Sequence, residues 1–422
     1  MLADGDEDPR IEAMEQRLLA LEDRLNASED VIAAQRDLLK AQATPAVSQG
    51  GGLDSFLSGL EVGGHVTTSY LYNFNSPRSG PSGAQPLCQF NCNSNEFSLD
   101  AAKLEIGKAA TNPGDAGFQL DLLFGQNADI SRFLSPTHGP LAGGVGVNVD
   151  DDFSLFVQQA YVSYNYNGVE LKMGNFETLL GWELIDSHKN YNVTHGILFT
   201  WTIPLYHTGL MAGGSLGENV GWNLGFVNGF NNTVERNDSK GVLGLISLDE
   251  GPFFASLSAY YGADAFQGTA GQPGSSDDQL ILDLVATYTP NDDLTFWLNV
   301  DYGEQEDGDP TGGDADWWGI AVGTNVTIND KLSFALRGEY FEDDDNVRGI
   351  ANAARDFEAY SLTGTLAYKL TDHLTVRTEL RYDKADDDRI GGGDGEIFPD
   401  DSSSGFEDDA LYGIVEVSYV FD

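Results

Sequence analysis

The chain has 422 residues, a formal net charge of −45 at neutral pH, 50 glycines and only two cysteines. Such a strong negative charge excludes a nucleic-acid partner, because the phosphate backbone would repel the protein. No run of about 18 apolar residues occurs, and this excludes a membrane-spanning helix.

The first 55 residues divide into three predicted segments. Residues 1–9 are acidic and are expected to be loose, whereas residues 10–43 have the heptad spacing of a coiled-coil helix. The alternative is a lone amphipathic helix that packs on the rest of the protein. Residues 44–55 contain a proline and three consecutive glycines, which predict a flexible linker. The predicted seam that would trimerise the helix consists of Ile11, Met14, Leu18, Leu21, Leu25, Ile32 and Leu39.

Residues 56–422 are predicted to form one large domain of β-strands, because apolar and polar residues alternate along successive segments. Trp318, Ile320 and Val322, for example, are separated by Gly319 and Ala321. Strands are predicted near residues 60–73, 96–109, 116–126, 153–166, 169–177, 205–214, 220–230, 239–248, 252–262, 278–289, 294–303, 317–328, 331–341, 356–370, 373–383 and 410–421.

The connections between these strands alternate between short and long. Asn329-Asp330 is a tight turn, whereas residues 342–355 form a long acidic loop. A soluble sandwich would also alternate along its strands, but nothing in it places all the long loops at one end. The pattern therefore predicts an all-β fold: a 16-stranded antiparallel transmembrane β-barrel with a short N-terminal α-helical coiled coil. An even strand number predicts that both termini are periplasmic, and sixteen strands predict an aqueous lumen.

Five motifs connect the chain to a known family: Lys172-Met173-Gly174-Asn175-Phe176-Glu177, Gly181-Trp182-Glu183, Asn190-Tyr191-Asn192, Ile203-Pro204-Leu205-Tyr206-His207-Thr208-Gly209 and Gly225-Phe226-Val227-Asn228-Gly229-Phe230-Asn231-Asn232. Through them the chain resembles the putative β-barrel porin-2 family of OmpL-like porins, most strongly over residues 170–232 and loosely over residues 55–422. The resemblance implies a homotrimeric channel in the Gram-negative outer membrane, surrounded by its lipids. One departure is the last residue, Asp422, where porins commonly end on an aromatic residue.

The resemblance also implies that the long segment after the fifth strand folds into the pore. This segment carries Glu183, Asp186, His188, Lys189 and His195, and mixed charges in a narrow lumen would filter solutes by charge. The alternative is an ordinary surface loop packed by its own aromatic residues. Two histidines alone are a weak metal signal.

Further charged residues lie in the lumen-facing registers of the predicted strands. They are Lys172, Arg337, Glu339, Arg377, Glu379 and Arg381. The last three alternate in sign along one strand, which favours a self-compensated ladder of cross-strand pairs. The segment 153–166 has polar residues on both faces, and this favours strands that pack against a neighbouring subunit.

The acidic side chains are concentrated in the long loops, where they would attract cations to the mouth of a pore. Weak Ca²⁺ sites are predicted at Asp307, Asp309, Asp314, Asp343, Asp344, Asp386 and Asp387. Simple solvation of these loops is the alternative, and no cofactor is required. Cys88 and Cys92, with three residues between them, favour a disulfide in an exported protein.

No motif of a hydrolase, metalloprotease or nucleotide-binding enzyme lies in the required context, so the sequence does not predict an enzyme. The predicted function is passive diffusion of small hydrophilic solutes and ions through the barrel, with a preference for cations. The alternative is a structural or tethering protein, whose barrel anchors the coiled coil and whose acidic loops bind a surface partner.

Overall fold

The computed structural model describes residues 59–77, 85–133, 155–235, 237–263, 277–309, 313–350, 357–386, 396–401 and 406–421. The predicted N-terminal segments 1–9, 10–43 and 44–55 lie outside the described residues, as does Asp387. The coiled coil therefore stays a prediction.

Sixteen strands close into one antiparallel barrel, in which each strand pairs with its neighbours along the chain. They are β1 (Glu61–Asn73), β2 (Glu96–Lys108), β3 (Ala116–Phe124), β4 (Leu155–Tyr166), β5 (Val169–Glu177), β6 (Tyr206–Leu216), β7 (Val220–Val227), β8 (Gly241–Glu250), β9 (Phe253–Gly262), β10 (Gln279–Asn291), β11 (Leu294–Gln305), β12 (Ala315–Asn329), β13 (Leu332–Asp343), β14 (Phe357–Lys369), β15 (Leu374–Asp386) and β18 (Asp409–Phe421). The predicted sixteen-stranded barrel is confirmed, and the predicted strands overlap the observed ones throughout.

The remaining elements lie in the loops. They are helix α1 (Gln126–Phe133), a 3-10 turn (Ser187–Lys189), helix α2 (Ile197–Trp201) and a two-residue strand pair, β16 (Phe398–Pro399) with β17 (Phe406–Glu407). Within the described part of the chain, no helix is long and apolar enough to cross a membrane.

The barrel closes where the first and last strands pair. β1 and β18 are antiparallel from the pair Gly64 and Phe421 to the pair Asn73 and Tyr412. Closure leaves no unpaired strand edge, which the hydrocarbon core of a membrane could not satisfy. The tight turns lie at the end of the barrel where β1 begins and β18 ends, which we call the short-turn end. The long connections lie at the opposite, long-loop end.

The outer face of the barrel is apolar, as the alternation predicts. Several outward-pointing side chains are at least half exposed in the isolated chain, for example Val162 at 62%, Leu210 at 50% and Leu362 at 55%. Tyr360 and Tyr368 lie near the two ends of β14, also on this face. An apolar band between aromatic girdles is the surface that a lipid bilayer requires.

The mixed pattern of β4 has a local cause. Its pairing with β3 shifts register at Asp121 and Leu122, and this β-bulge leaves Gln158 without an opposite residue. Gln158 then donates to Glu177 and Gln159 donates to Asp121, so both side-chain amides are hydrogen-bonded to carboxylates of the barrel. The bulge accounts for polar residues at consecutive positions, and a neighbouring subunit is not needed to explain them.

Two glycines make room for large aromatic side chains inside the barrel. A Cβ at Gly323 would collide with the indole of Trp297, and a Cβ at Gly303 would collide with that of Trp317. Both tryptophans are almost fully buried. The glycine positions therefore decide where these rings lie against the wall.

Candidate functional site

The connection between β5 and β6, residues 178–205, crosses the interior of the barrel, and we call it the inward loop. It bonds to strands far apart around the wall: the Trp182 backbone N–H donates to Asn299 of β11 at 3.0 Å, and the Ser187 hydroxyl donates to Glu416 of β18 at 2.8 Å. Val193 and Ile197 are completely buried. The inward loop is therefore an internal partition and not a surface loop packed on itself.

One side of the wall holds the backbone of the inward loop, and we call Arg337, Arg377, Glu379 and Arg381 the clasp. Its three arginines donate to loop carbonyls. Arg377 Nη1 bonds Asn190 O at 2.8 Å, Arg337 Nη1 bonds Thr194 O at 2.8 Å, and Arg381 Nη1 bonds His195 O at 2.6 Å.

Glu379 supplies the opposite polarity within the clasp. Its carboxylate accepts the backbone N–H groups of Val193 at 2.6 Å and Thr194 at 3.0 Å, and the hydroxyls of Thr194 and Thr365 at 2.5 Å each. Polar backbone groups in an irregular, buried loop must find partners. The clasp provides both donors and acceptors for this stretch of backbone.

The predicted ladder of cross-strand pairs is only partly present. Arg377 does pair with Glu416 on the neighbouring strand at 2.6 Å, but Arg381 pairs with Asp383 of its own strand at 2.8 Å. Across the described strands, Glu379 has no ion pair, and it instead accepts hydrogen bonds from the inward loop. These residues bind a segment of their own chain, which strand alternation alone could not indicate.

Glu183 and Glu339 meet at Arg337. Glu183 Oε1 lies 2.5 Å from Arg337 Nη1, and Glu339 Oε2 lies 3.0 Å from Arg337 Nε. Glu183 also accepts the Gly196 backbone N–H at 2.6 Å. The two carboxylates neutralise the buried guanidinium of Arg337. Glu183 also links the start of the inward loop to Gly196 near its end.

A second part of the wall, on β2 and β3, meets the loop through charged side chains, and we call Lys103, Glu105, Asp121, Asp186 and Lys189 the lysine cluster. Lys103 Nζ lies 2.8 Å from Asp186, 3.0 Å from Glu105 and 3.3 Å from Asp121. Lys189 Nζ lies 2.8 Å from Asp186 and 3.2 Å from Glu105. Asp186 is buried, and although that burial favours the neutral acid, the two lysines hold the pKa of its carboxyl well below its usual range.

The two histidines of the inward loop occupy separate environments. His188 packs on His65 with ring centroids 4.1 Å apart, whereas His195 packs between Phe90 and Phe199. His195 Nε2 lies 2.6 Å from the Leu184 carbonyl oxygen, so this nitrogen carries the proton. Burial lowers the pKa of His188 to about 2 and that of His195 to about 3. Both rings are neutral at neutral pH.

Segments at the long-loop end lie over the inward loop, and we call residues 85–95 and 343–350 the cover. Phe90 packs on His195 and Phe199 at centroid distances of 4.7 and 5.7 Å, and Trp201 donates to the Pro86 carbonyl at 3.2 Å. Arg348 stacks on Trp317 at 4.6 Å and donates to the Trp201 carbonyl. The face of the loop that carries α2 is consequently covered by protein.

Cys88 and Cys92 form a disulfide within the cover, with Cα atoms 5.8 Å apart, and both are buried. Asp343 also lies in the cover, where its carboxylate accepts the backbone N–H groups of Val347 and Arg348 at 2.9 Å. Both oxygens of this predicted Ca²⁺ ligand therefore accept hydrogen bonds from the backbone of the protein.

The other predicted Ca²⁺ ligands are scattered. Asp314 accepts the Asp307 N–H, Asp309 donates its N–H to Gly313, and Asp386 ends β15 opposite Glu358. Among the described residues, no three His, Cys, Asp or Glu side chains are placed to hold a metal ion. Lys172 lies elsewhere on the wall, 3.3 Å from Glu170 and over the ring of Tyr161.

At the level of the inward loop, the lumen expected from sixteen strands is narrowed where the loop lies against β13 and β15. The clasp arginines and Glu379 are each at most 4% exposed, because the loop lies directly on them. Strand number sets only the width of the empty cylinder. The connections decide how much of that cylinder is filled.

Several residues that organise this site were missed by the sequence analysis: Lys103, Glu105, Asp121, Asp301 and Asn299. Thr202 near the end of the inward loop donates to Asp301, and Asn299 donates to Asp301 and Asp283. A signal did exist, because Lys103 with Glu105 and Asn299 with Asp301 are charged or polar residues two positions apart, separated by an apolar residue. The partners from the loop could not be identified from spacing.

Comparisons with known proteins agree with this architecture. No curated protein sequence matches the chain. The anion-selective porin from Comamonas acidovorans superposes with a TM-score of 0.57 at 13% identity, covering 86% of this chain and 99% of the porin. The outer membrane channel DcaP of Acinetobacter baumannii gives 0.54 at 12% identity, covering 90% and 100%.

A trimer form of OmpT from Vibrio cholerae gives a TM-score of 0.53 at 11% identity, covering 86% of this chain and 98% of OmpT. At these identities the similarities establish the fold. The family model described as putative beta-barrel porin-2, OmpL-like, matches residues 59–421. The chain therefore belongs to the OmpL-like porin-2 family of outer-membrane β-barrels.

Proposed function

We propose that the protein is an outer-membrane porin that lets small hydrophilic solutes and ions diffuse passively past the inward loop. The observation that carries this proposal is the inward loop itself, which is fixed to separate parts of the wall of a closed barrel by polar contacts on β15, β13, β2 and β9. A polar partition of this kind narrows a lumen to a constriction while it keeps a surface that water and ions can wet.

The proposed preference is for cations. The described long-loop end carries opposed carboxylates on neighbouring strands: Glu304 lies opposite Asp316, Glu342 opposite Glu358, and Glu358 opposite Asp386. Glu304, Glu342 and Glu358 accept hydrogen bonds from the outward-facing Tyr302, Tyr340 and Tyr360, so these carboxylates lie on the outer rim of the mouth. Negative potential there raises the local concentration of cations and lowers that of anions. The similarity to an anion-selective porin does not decide the sign, because selectivity depends on individual side chains.

We further propose a homotrimer in outer-membrane lipids, with both termini periplasmic and residues 10–43 forming a trimeric coiled coil. The apolar outer face supports the lipid environment, and the position of both barrel ends at the short-turn end supports the common side of the termini. The Ca²⁺ sites at the acidic loops remain a prediction.

Planar-bilayer recording of the purified full-length protein tests the main proposal. We expect stepwise openings, in multiples of three for a trimer, and a reversal potential in a KCl gradient that has the sign of cation selectivity. Openings with anion selectivity would overturn the cation preference. A silent bilayer from protein whose β-structure is verified by circular dichroism would overturn the porin function.

The burial of the clasp and the presence of the cover favour one second candidate, a structural or tethering protein with a closed barrel. In that case the barrel would anchor the helix predicted for residues 10–43, and the acidic loops would bind a surface partner. Liposome swelling separates the two candidates, because a closed barrel admits no small sugar at any protein density. Swelling that increases with protein density would exclude this candidate.

A further inference from the structure

We infer that Lys189 and Glu105 are the residues that determine ion preference at the constriction. This inference rests on the proposed function, and it names the side chains that a passing ion meets at the inward loop. The two form an ion pair where the loop meets the wall: Lys189 is on the loop and Glu105 is on β2, with Nζ and Oε1 3.2 Å apart.

Exposure distinguishes this pair from the other charges at the same level. The side chains of Lys189 and Glu105 are 25% and 28% exposed, whereas those of Lys103, Asp121 and Asp186 are between 1% and 3% exposed. All five are in contact with one another through the two lysines. Only the first two can exchange contacts with water or a permeating ion.

Lys189 and Glu105 lie on the side of the inward loop that faces the short-turn end. Glu105 lies two residues beyond Lys103 towards the short-turn end, since Gly107 pairs with Glu61 near the start of β1. The face of the loop towards the cover is buried instead. Lys189 and Glu105 thus border the water-accessible space that opens to the short-turn end.

The clasp arginines cannot take this role, although they are the most conspicuous charges on the wall. Arg337, Arg377 and Arg381 each have a carboxylate partner at 2.5 to 2.8 Å and a loop carbonyl as a further acceptor. Their fields are compensated within the protein, and the loop keeps ions away from them. Their charge stabilises the partition and has little influence on what passes it.

The effect of each substitution follows from the sign of the charge removed. Lys189→Gln leaves Glu105 and Asp186 with less compensation, so it should raise the permeability ratio of K⁺ to Cl⁻. Glu105→Gln removes the exposed carboxylate and should lower that ratio. The double variant restores the charge sum of the natural cluster. Charges a few ångströms from an ion act strongly when water is confined and salt is low.

The test is the reversal potential of full-length protein in planar bilayers across a tenfold KCl gradient with a dilute side of about 0.01 M, where screening is weak. We expect Lys189→Gln to raise the permeability ratio at least about twofold, Glu105→Gln to lower it similarly, and the double variant to lie near the natural protein. Lys189→Arg keeps the charge and should also stay near the natural protein.

The matched control is Lys384→Gln, because Lys384 also pairs with a carboxylate, Asp408, but lies on the outer face near the long-loop end. It should shift the ratio far less than Lys189→Gln does, because Lys384 is remote from the constriction. Natural protein that conducts, combined with unchanged ratios in both single variants, would overturn the inference alone. A silent natural protein would instead overturn the proposed function. Equal shifts of the same sign in both single variants would also overturn the inference, since they would reflect a distorted loop.

Discussion

The clasp and the lysine cluster, two parts of the wall that hold the inward loop, do so by different chemistry. The clasp binds mainly loop backbone, with arginines on carbonyls and Glu379 on N–H groups, and it is buried. The lysine cluster binds loop side chains through ion pairs, and Lys189 with Glu105 retains access to water. Backbone contacts are independent of the side chains that the loop carries. The clasp therefore fixes the course of the loop, whereas the lysine cluster sets the charge at its edge.

The largest expected effect is at the lysine cluster. Lys103→Gln removes the ammonium group shared by Asp186, Glu105 and Asp121 and leaves buried carboxylates facing one another. Breaking a buried pair by removing one partner costs about 3–5 kcal/mol. The free energy of unfolding, measured by urea titration with tryptophan fluorescence in lipid vesicles, should fall by that amount at pH 7.

Acid should partly rescue this variant, because protonating the carboxylates removes their repulsion. Between pH 7 and pH 4 the deficit of Lys103→Gln relative to the natural protein should shrink. A deficit that is constant or grows over this range would show that the ion pairs are not what Lys103 contributes.

A somewhat smaller effect is expected at the clasp. Glu379→Gln keeps the shape of the side chain but replaces one acceptor oxygen with a donor, so at least one of the N–H groups of Val193 and Thr194 loses its partner. A buried donor without a partner costs about 1–3 kcal/mol. Unfolding should be easier by that amount, and the freed loop should give noisier single-channel currents.

The control for the clasp is Glu218→Gln, since Glu218 is an exposed residue of the turn between β6 and β7. It should change neither stability nor current noise. Unlike Lys103→Gln, the Glu379→Gln variant should gain little from acid, because its defect is a missing hydrogen bond. Equal rescue of both variants by acid would contradict the distinction between the clasp and the lysine cluster.

An effect confined to stability is expected in the cover. Replacing Cys88 and Cys92 by serine opens a ring of only five residues, for which chain entropy predicts a loss of about 2 kcal/mol. Because neither cysteine belongs to the clasp or the lysine cluster, ion preference should not change. A changed permeability ratio in this variant would mean that the cover contributes to the constriction.

Strand alternation determined the barrel from sequence alone. Each strand must present apolar side chains to lipid at every second position. Because this requirement is local, the sequence of one strand shows it without any knowledge of the neighbouring strands, as in Trp318, Ile320 and Val322. The alternation of short and long connections is equally local. The sequence also placed Arg337, Arg377, Glu379 and Arg381 in the lumen, where they lie.

Only the tertiary structure decided what those lumen residues bind. The contact of Glu379 with Val193 joins residues 186 positions apart, and no periodicity reports such a pair. The same holds for Lys103 with Asp186 and for the burial of Phe90 against His195. A barrel of sixteen strands can enclose open water or a packed loop with the same wall sequence. The local pattern of the strands therefore determines the fold, whereas the filling of the lumen depends on long-range packing of the inward loop.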